Sequence, residues 1–300
     1  MKVQVVTNSN GFGMTHDVNV LIEAISKVDP GSEVSYTHWS KPERFSRHHF
    51  DLNVFVEFTN PVFVPQAGRN VFVPNCEWFH SHQFAHLRTI DQVWAKTFDC
   101  ERIFRQHHRN VKHIGWTSLD RFDATVEKEK VLLHVAGASS AKGTNEVIEA
   151  MGGLPQYRLL IVSAKPWGKL PPNVELIGRV ADGPFRALQN RAVIHLCPSS
   201  YEGFGHYLNE ARSVAAAIIT TNAEPMTDLV GPSFGFGAGL KSFSTQNLAQ
   251  HKHVDPASLA EMIEAAMGLD LQSLKNLGVN ARAAYLADRD TFTTNLKALL

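Results

Sequence analysis

Short apolar runs rich in β-branched and aromatic residues recur along this chain, separated by loops and by stretches with helical spacing. KVQVVT (2–7) reads as a buried first strand; it runs into the glycine-containing loop NSNGFGMTHD and then into the helical pattern VNVLIEAI. LNVFVEF (52–58), NVFVPN (70–75) and QVWAKT (92–97) are further strands of the same kind. The polar, charged TVEKEK (125–130) interrupts this order, and the pattern then restarts. VLLHVAG (131–137), YRLLIVS (157–163), VELIG (174–178), VIHLCPS (193–199) and AAIITT (216–221) read as strands, with GTNEVIEAM and DGPFRALQNR as helices among them. Strands alternating with helices predict an α/β fold with parallel sheets. Two such sets in succession predict two Rossmann-like domains facing across a cleft, with ligands at the carboxyl ends of strands. Residues 232–253 read as irregular, and the chain from DPASLAEMIEAAM onward as helical.

Composition narrows the class. The chain has 300 residues, with 29 basic and 29 acidic side chains and no net charge, which argues against strong non-specific nucleic-acid binding. No apolar run approaches the ~20 residues that span a bilayer, and MKVQVVTNSNGFG lacks the apolar core of a signal peptide. A soluble, cytoplasmic protein without a transmembrane segment is expected. Cys76, Cys100 and Cys197 are odd in number and far apart, as reduced thiols are. The basic stretch ERIFRQHHRNVKH (101–113) is either a solvated face or a contact for an anionic partner.

Two motifs carry the chemistry. GASSAKGT (137–144) follows a strand and precedes a helix. Its order, Lys142-Gly143-Thr144, is not that of a P-loop, yet unpaired amides, the helix dipole and Lys142 together favour an anion. The second motif is CPSSYEGFGHYLNEA (197–211), where Glu202 lies in a turn with Gly203, Phe204 and Gly205. A helix is expected to start at Gly205 or His206, so that Glu210 lies more than a turn inside it. The two acids then act as separate acceptors for ligand hydroxyls rather than as a proton-sharing dyad, while the glycines admit close backbone approach. Read structurally, the same residues are a turn acid and a solvated helix face.

Glu202-Gly203-Phe204-Gly205 and Glu210 match the E-x7-E motif of retaining glycosyltransferases, and the chain resembles glycosyltransferase family 4. The resemblance covers most of the second half through HVAGASSAKGT, IGRV and LCPSSYEGFGHYLNEARSVAAAIITTNAEPMTDLV; in the first half it rests on NGFGMTHD and PNCEWF. It implies a GT-B fold with an acceptor domain at 1–125, a donor domain at 126–285 and a C-terminal helix, 286–300, returning to the first domain. It implies that Glu210 binds ribose hydroxyls of a nucleotide sugar, that Glu202, Gly203, Phe204 and Gly205 hold the transferred sugar, and that Lys142 and Gly143 meet the diphosphate. Arg179, beside Gly178, is placed near the nucleobase, Gly13 near the phosphates and Asp17 toward the acceptor. His16 either positions the acceptor hydroxyl or is a helix-start residue. Asn75, Glu77 and Trp78, just past a strand, are acceptor-side or sugar-side candidates.

The function implied is transfer of a sugar, with retention, from a nucleotide-diphosphate donor to an acceptor hydroxyl on a glycan, a lipid-linked saccharide, a small molecule or a modified base in DNA. No Asp-x-Asp metal motif stands in a strand-loop context, so neither a metal nor another cofactor is expected. His82 and His86 in HSHQFAH have metal-ligand spacing on a helix, but without HExxH they read as surface or acceptor-facing. One departure stands out. Where the family places an arginine after the glycine that precedes the lysine loop, this chain has Ala138. Two alternatives stay open: a nucleotide-sugar epimerase on the same fold and, motivated by Ala138, a nucleotide-sugar binder without catalysis.

Overall fold

The computed structural model describes residues 1–8, 13–42, 47–137 and 139–300. The chain forms two compact units, one of Met1–Ser118, Gln246–Ala249 and Asp288–Leu300, the other of Leu119–Thr245 and Gln250–Ala287. The division falls between Ser118 and Leu119, ahead of TVEKEK.

Unit 1 begins with β1 (Lys2–Thr7), α1 (Gly13–Val28), β2 (Glu33–His38) and β3 (Phe50–Val56). It continues through β4 (Ala67–Val73), β5 (Gln92–Ala95), α2 (Phe98–Phe104) and β6 (Val111–His113). The sheet order is β2-β1-β3-β4-β5-β6, and its strand pairs run parallel. Val3, Val5 and Val6 of β1 are fully buried, as a strand covered on both faces requires. The order reverses between β1 and β3, which is where a doubly wound sheet presents loops to ligands. Phe72, Phe79 and Phe104 pack with ring centroids 5.1–6.0 Å apart. Phe292 from the C-terminal stretch packs against Trp116, with ring centroids 5.0 Å apart and the planes tilted by 50°.

Unit 2 runs β7 (Glu129–Val135), α3 (Thr144–Gly152), β8 (Leu159–Val162), β9 (Val174–Ile177) and α4 (Asp182–Arg191). Then come β10 (Ala192–Cys197), α5 (His206–Ser213), β11 (Ala217–Thr221), α6 (Met226–Leu229) and β12 (Gly235–Ala238). Its sheet, ordered β12-β11-β10-β7-β8-β9, pairs in parallel throughout its ladders. Alternate residues feed two cores. Leu132, Leu159 and Ile161 face α3 and the later helices, while Leu133, Leu160 and Val162 face Phe185 and Leu188 of α4. The helices α7 (Pro256–Gly268) and α8 (Leu271–Leu299) end the chain.

One strand went unread in the sequence, and one segment differs from its expectation. EVSYTH forms β2 although none of its residues is fully buried; as an edge strand it lacks the apolar signature. Residues 232–253 are ordered, not irregular: after β12 they form β13 (Leu240–Gln246) and β14 (Ala249–Val254), a separate two-stranded sheet. A connection this short joins antiparallel strands.

Gly278 in α8 packs against the chain reversal at Ala215, where an added Cβ would lie 2.1 Å from the Ala215 carbonyl oxygen. In an ordinary helix interior Gly→Ala stabilises by ~1 kcal/mol. Gly278→Ala is expected to lower stability in urea unfolding by roughly 1–3 kcal/mol. Gly268→Ala, with open space around its Cβ, is expected to leave it unchanged or slightly raised.

Candidate functional site

In unit 2 the loops leaving β7 and β10 are pressed together. After β7 the chain makes a tight turn at Ser140–Lys142, with Ser139 Oγ accepting from the Ala141 amide at 3.1 Å. Gly143 then enters α3 in the left-handed region, at φ 68°. Space also demands glycine here, since a Cβ would lie 2.3 Å from the Pro198 carbonyl oxygen. The Ser200 amide completes the contact by donating to the Ala141 carbonyl at 2.8 Å.

This contact brings Lys142 to Glu202. Lys142 Nζ donates to Glu202 Oε1 at 2.6 Å and stands 3.8 Å from the centroid of the Tyr207 ring. Ser199 Oγ donates to the same carboxylate oxygen and shares a hydrogen bond with the Tyr207 hydroxyl at 2.5 Å. Gly205, at φ 93°, caps α5, which starts at His206. Within that helix Glu210 Oε2 accepts from Gln189 Nε2 at 2.8 Å. Gln189 Oε1 in turn accepts from Arg121 Nε at 3.0 Å, and Arg121 pairs with Asp182 at 2.7 Å. Glu202 and Glu210 therefore sit in separate networks. Phe204 is buried and Gly203 half-buried. Arg179 is exposed on the loop after β9, with β8 between that strand and β7. Ala138 lies outside the described residues.

A buried imidazole supports the lysine loop. His134 Nδ1 donates to the Leu196 carbonyl at 2.8 Å, which leaves Nε2 to accept from the Thr144 hydroxyl at 2.8 Å. Burial, together with the nearby Lys142 charge, lowers the His134 pKa to about 4, against the opposing effect of the Leu196 bond. His195, whose Nε2 donates to the Gln189 carbonyl at 2.9 Å, is lowered to about 3, chiefly by burial. The sequence reading did not single out Ser199, Tyr207, Gln189 or His134. A histidine inside the apolar run VLLHVAG was a signal for His134; nothing local marks Gln189.

In unit 1, Gly13 opens α1 and His16 is half-buried on it. Asp17 is buried, and Lys96 Nζ donates to its Oδ2 at 2.8 Å, with both side chains almost wholly enclosed. Asn75 Nδ2 donates to Glu57 Oε2 at 2.6 Å. Burial raises the Glu57 pKa, with Asn75 and Lys96 opposing it. Burial alone would pull the Lys96 pKa down, but Asp17, Glu77 and Glu57 around it raise it, so it stays cationic. Asp17, Asn75 and Glu77 are thus gathered about Lys96 and Glu57, neither of which was anticipated, while Trp78 is 47% exposed. In the basic stretch, Arg102 and Arg105 pair with Asp99 and Glu101 of α2. Among the described residues no three or more His, Cys, Asp or Glu are grouped to hold a metal ion, and no helix is long and apolar enough to cross a membrane.

Residues 118–284, more than half of the chain, match the family described as glycosyl transferases group 1. The chain belongs to this family. Among solved structures it is similar to sucrose-phosphate synthase from Thermosynechococcus elongatus, with a TM-score of 0.73 at 14% identity, covering 100% of this chain and 98% of that one. A glycosyltransferase from Rickettsia africae gives 0.72 at 13%, covering 98% and 95%. Anabaena HepE in complex with UDP-glucose gives 0.70 at 16%, covering 99% and 100%. At these identities the likeness concerns the fold, which is GT-B with two Rossmann-like domains. No curated protein shows a significant sequence match to the chain.

The two neutral histidines predict acid sensitivity. The unfolded chain binds protons near the ordinary value of 6.5, whereas the folded chain refuses them until about pH 4 at His134 and about 3 at His195. Their contribution to stability is complete above pH 6.5 and is lost as pH falls through those folded values. For His195 the difference amounts to on the order of 5 kcal/mol. The thermal midpoint is expected to drop from pH 6.5 to 4, and less steeply in His195→Gln, which keeps a donor for the Gln189 carbonyl. An identical slope in that variant would remove His195 as a cause.

Proposed function

We propose that the protein is a retaining glycosyltransferase that moves a sugar from a nucleotide-diphosphate sugar to an acceptor hydroxyl. The observation that carries this reading is the Lys142–Glu202 pair at 2.6 Å, set at the mouth of α3 with Glu210 eight residues further along. In transfer, the bond from the anomeric carbon to the β-phosphate oxygen breaks. The acceptor oxygen bonds to the same face of the sugar, and its proton passes to the departing phosphate. What the protein must supply is stabilisation of the diphosphate anion. Lys142 and the free amides at the start of α3 supply it without a metal in this reading. Glu202, restrained by Ser199, accepts from hydroxyls of the sugar, and Glu210, restrained by Gln189, from those of the ribose.

A UDP-sugar is the first donor to try, because HepE was solved with UDP-glucose. On the acceptor side, the group around Asp17, Asn75 and Glu77 lies past the carboxyl ends of the unit 1 strands, where such sheets receive ligands. Ala138 favours a second reading, a nucleotide-sugar binder that has lost catalysis, since a cation at the leaving group is absent from that position. Binding without turnover, reversed in part by Ala138→Arg, would support it.

Glu210→Ala is expected to weaken UDP binding about tenfold or more in calorimetry. Glu202→Ala should leave UDP affinity near wild type and reduce turnover of the donor. Lys142→Ala is expected to cut turnover roughly 100-fold or more with the fold retained, and EDTA to change none of these values. Wild-type affinity and rates in all three variants would overturn the assignment.

A further inference from the structure

We propose that His251, on β14, is a positioning residue for Glu202. It holds Ser200 and thereby sets the carboxylate that pairs with Lys142. The inference rests on the donor-site reading of Glu202.

Ser200 is buried and gripped on three sides. Its amide donates to the Ala141 carbonyl at 2.8 Å, and its carbonyl accepts from the Lys252 amide at 2.8 Å. Its hydroxyl lies 2.8 Å from His251 Nδ1. The rings of His251 and Tyr201 are 5.7 Å apart and tilted by 35°, so both residues before Glu202 touch the imidazole. On the far side of the strand, Lys252 Nζ reaches the Glu224 carbonyl at 2.5 Å. One short strand therefore secures the loop that presents Glu202 against the turn that presents Lys142.

Packing alone does not account for a histidine here. β14 buries Ala249, His251 and Val254, while its partner β13 buries none of its residues and leaves Phe243 60% exposed. The sheet thus adds little apolar core beyond its contact with the Ser200 loop. His251 is 91% enclosed, and its Nε2 is buried with no hydrogen-bond partner among the described residues. An unpaired buried nitrogen carries a desolvation penalty, which phenylalanine would avoid while filling similar space. What phenylalanine cannot supply is the bond to Ser200.

The test uses the full chain with His251→Phe, which keeps the ring, and His251→Asn, which keeps a polar atom near Nδ1. Gln250→Ala, exposed on the opposite face of the same strand, is the control. Amide hydrogen exchange is followed over residues 199–205, and UDP-glucose turnover and UDP affinity are measured in parallel. His251→Phe is expected to speed exchange in 199–205 and lower kcat about tenfold, with UDP affinity unchanged. His251→Asn should recover most of both losses, and Gln250→Ala should resemble wild type. Unchanged exchange in His251→Phe, or an Asn variant no better than Phe, would overturn the proposal. Should the wild-type protein bind neither UDP nor UDP-glucose, a uridine donor is ruled out, and exchange over 199–205 still decides whether His251 holds this loop.

Discussion

Everything at the unit 2 site follows from β7 and β10 lying side by side in parallel, with His195 opposite Leu133 and Ile194 opposite Leu132. The chain goes out through β8 and β9 and then returns to the other side of β7. At that reversal two loops far apart in sequence leave the sheet together. Their contact is close enough that Gly143 has no room for a Cβ against Pro198. A lysine at the start of one helix and a glutamate at the start of another are brought to hydrogen-bonding distance by this one pairing of strands.

Two ways of holding a buried polar group stand out, one in each unit. In unit 2, His134 and His195 are held as neutral imidazoles. His134 donates at one nitrogen and accepts at the other, so burial leaves neither end unpaired and selects the uncharged form. Unit 1 uses full charges, with Lys96 and Asp17 enclosed together. An enclosed pair contributes little net stability, but removing one partner strands the other charge. Glu57 beside them adopts a left-handed backbone at φ 66°, uncommon for a residue with a side chain. Such strain is found where surrounding structure over-determines a conformation, and here it falls at the carboxyl end of β3.

Much of the fold was legible because buried strands must be apolar. β1, β3, β10 and β11 show themselves as short runs of valine, isoleucine, leucine and phenylalanine. β2 and β13 escape notice because exposed strands carry no such requirement, and β14 because its buried residues are only Ala249, His251 and Val254. Glu202, Glu210 and Lys142 stood out through glycines that only a special backbone needs and through helical spacing. Their partners did not. Ser199 and Tyr207 look like ordinary neighbours of Glu202, and Gln189 reaches Glu210 from another helix.

The sequence by itself determined the class of fold, the order of the parallel strands' building units and the residue types offered at the two helix starts. These depend on local periodicity and backbone preference, which act over a few residues. Only the tertiary structure decided which charges meet, that Lys142 faces Glu202, that Gln189 restrains Glu210 and that Lys96 encloses Asp17. Hydrogen bonds and ion pairs act over about 3 Å, and residues dozens of positions apart reach that distance only once the sheet has set where each loop emerges.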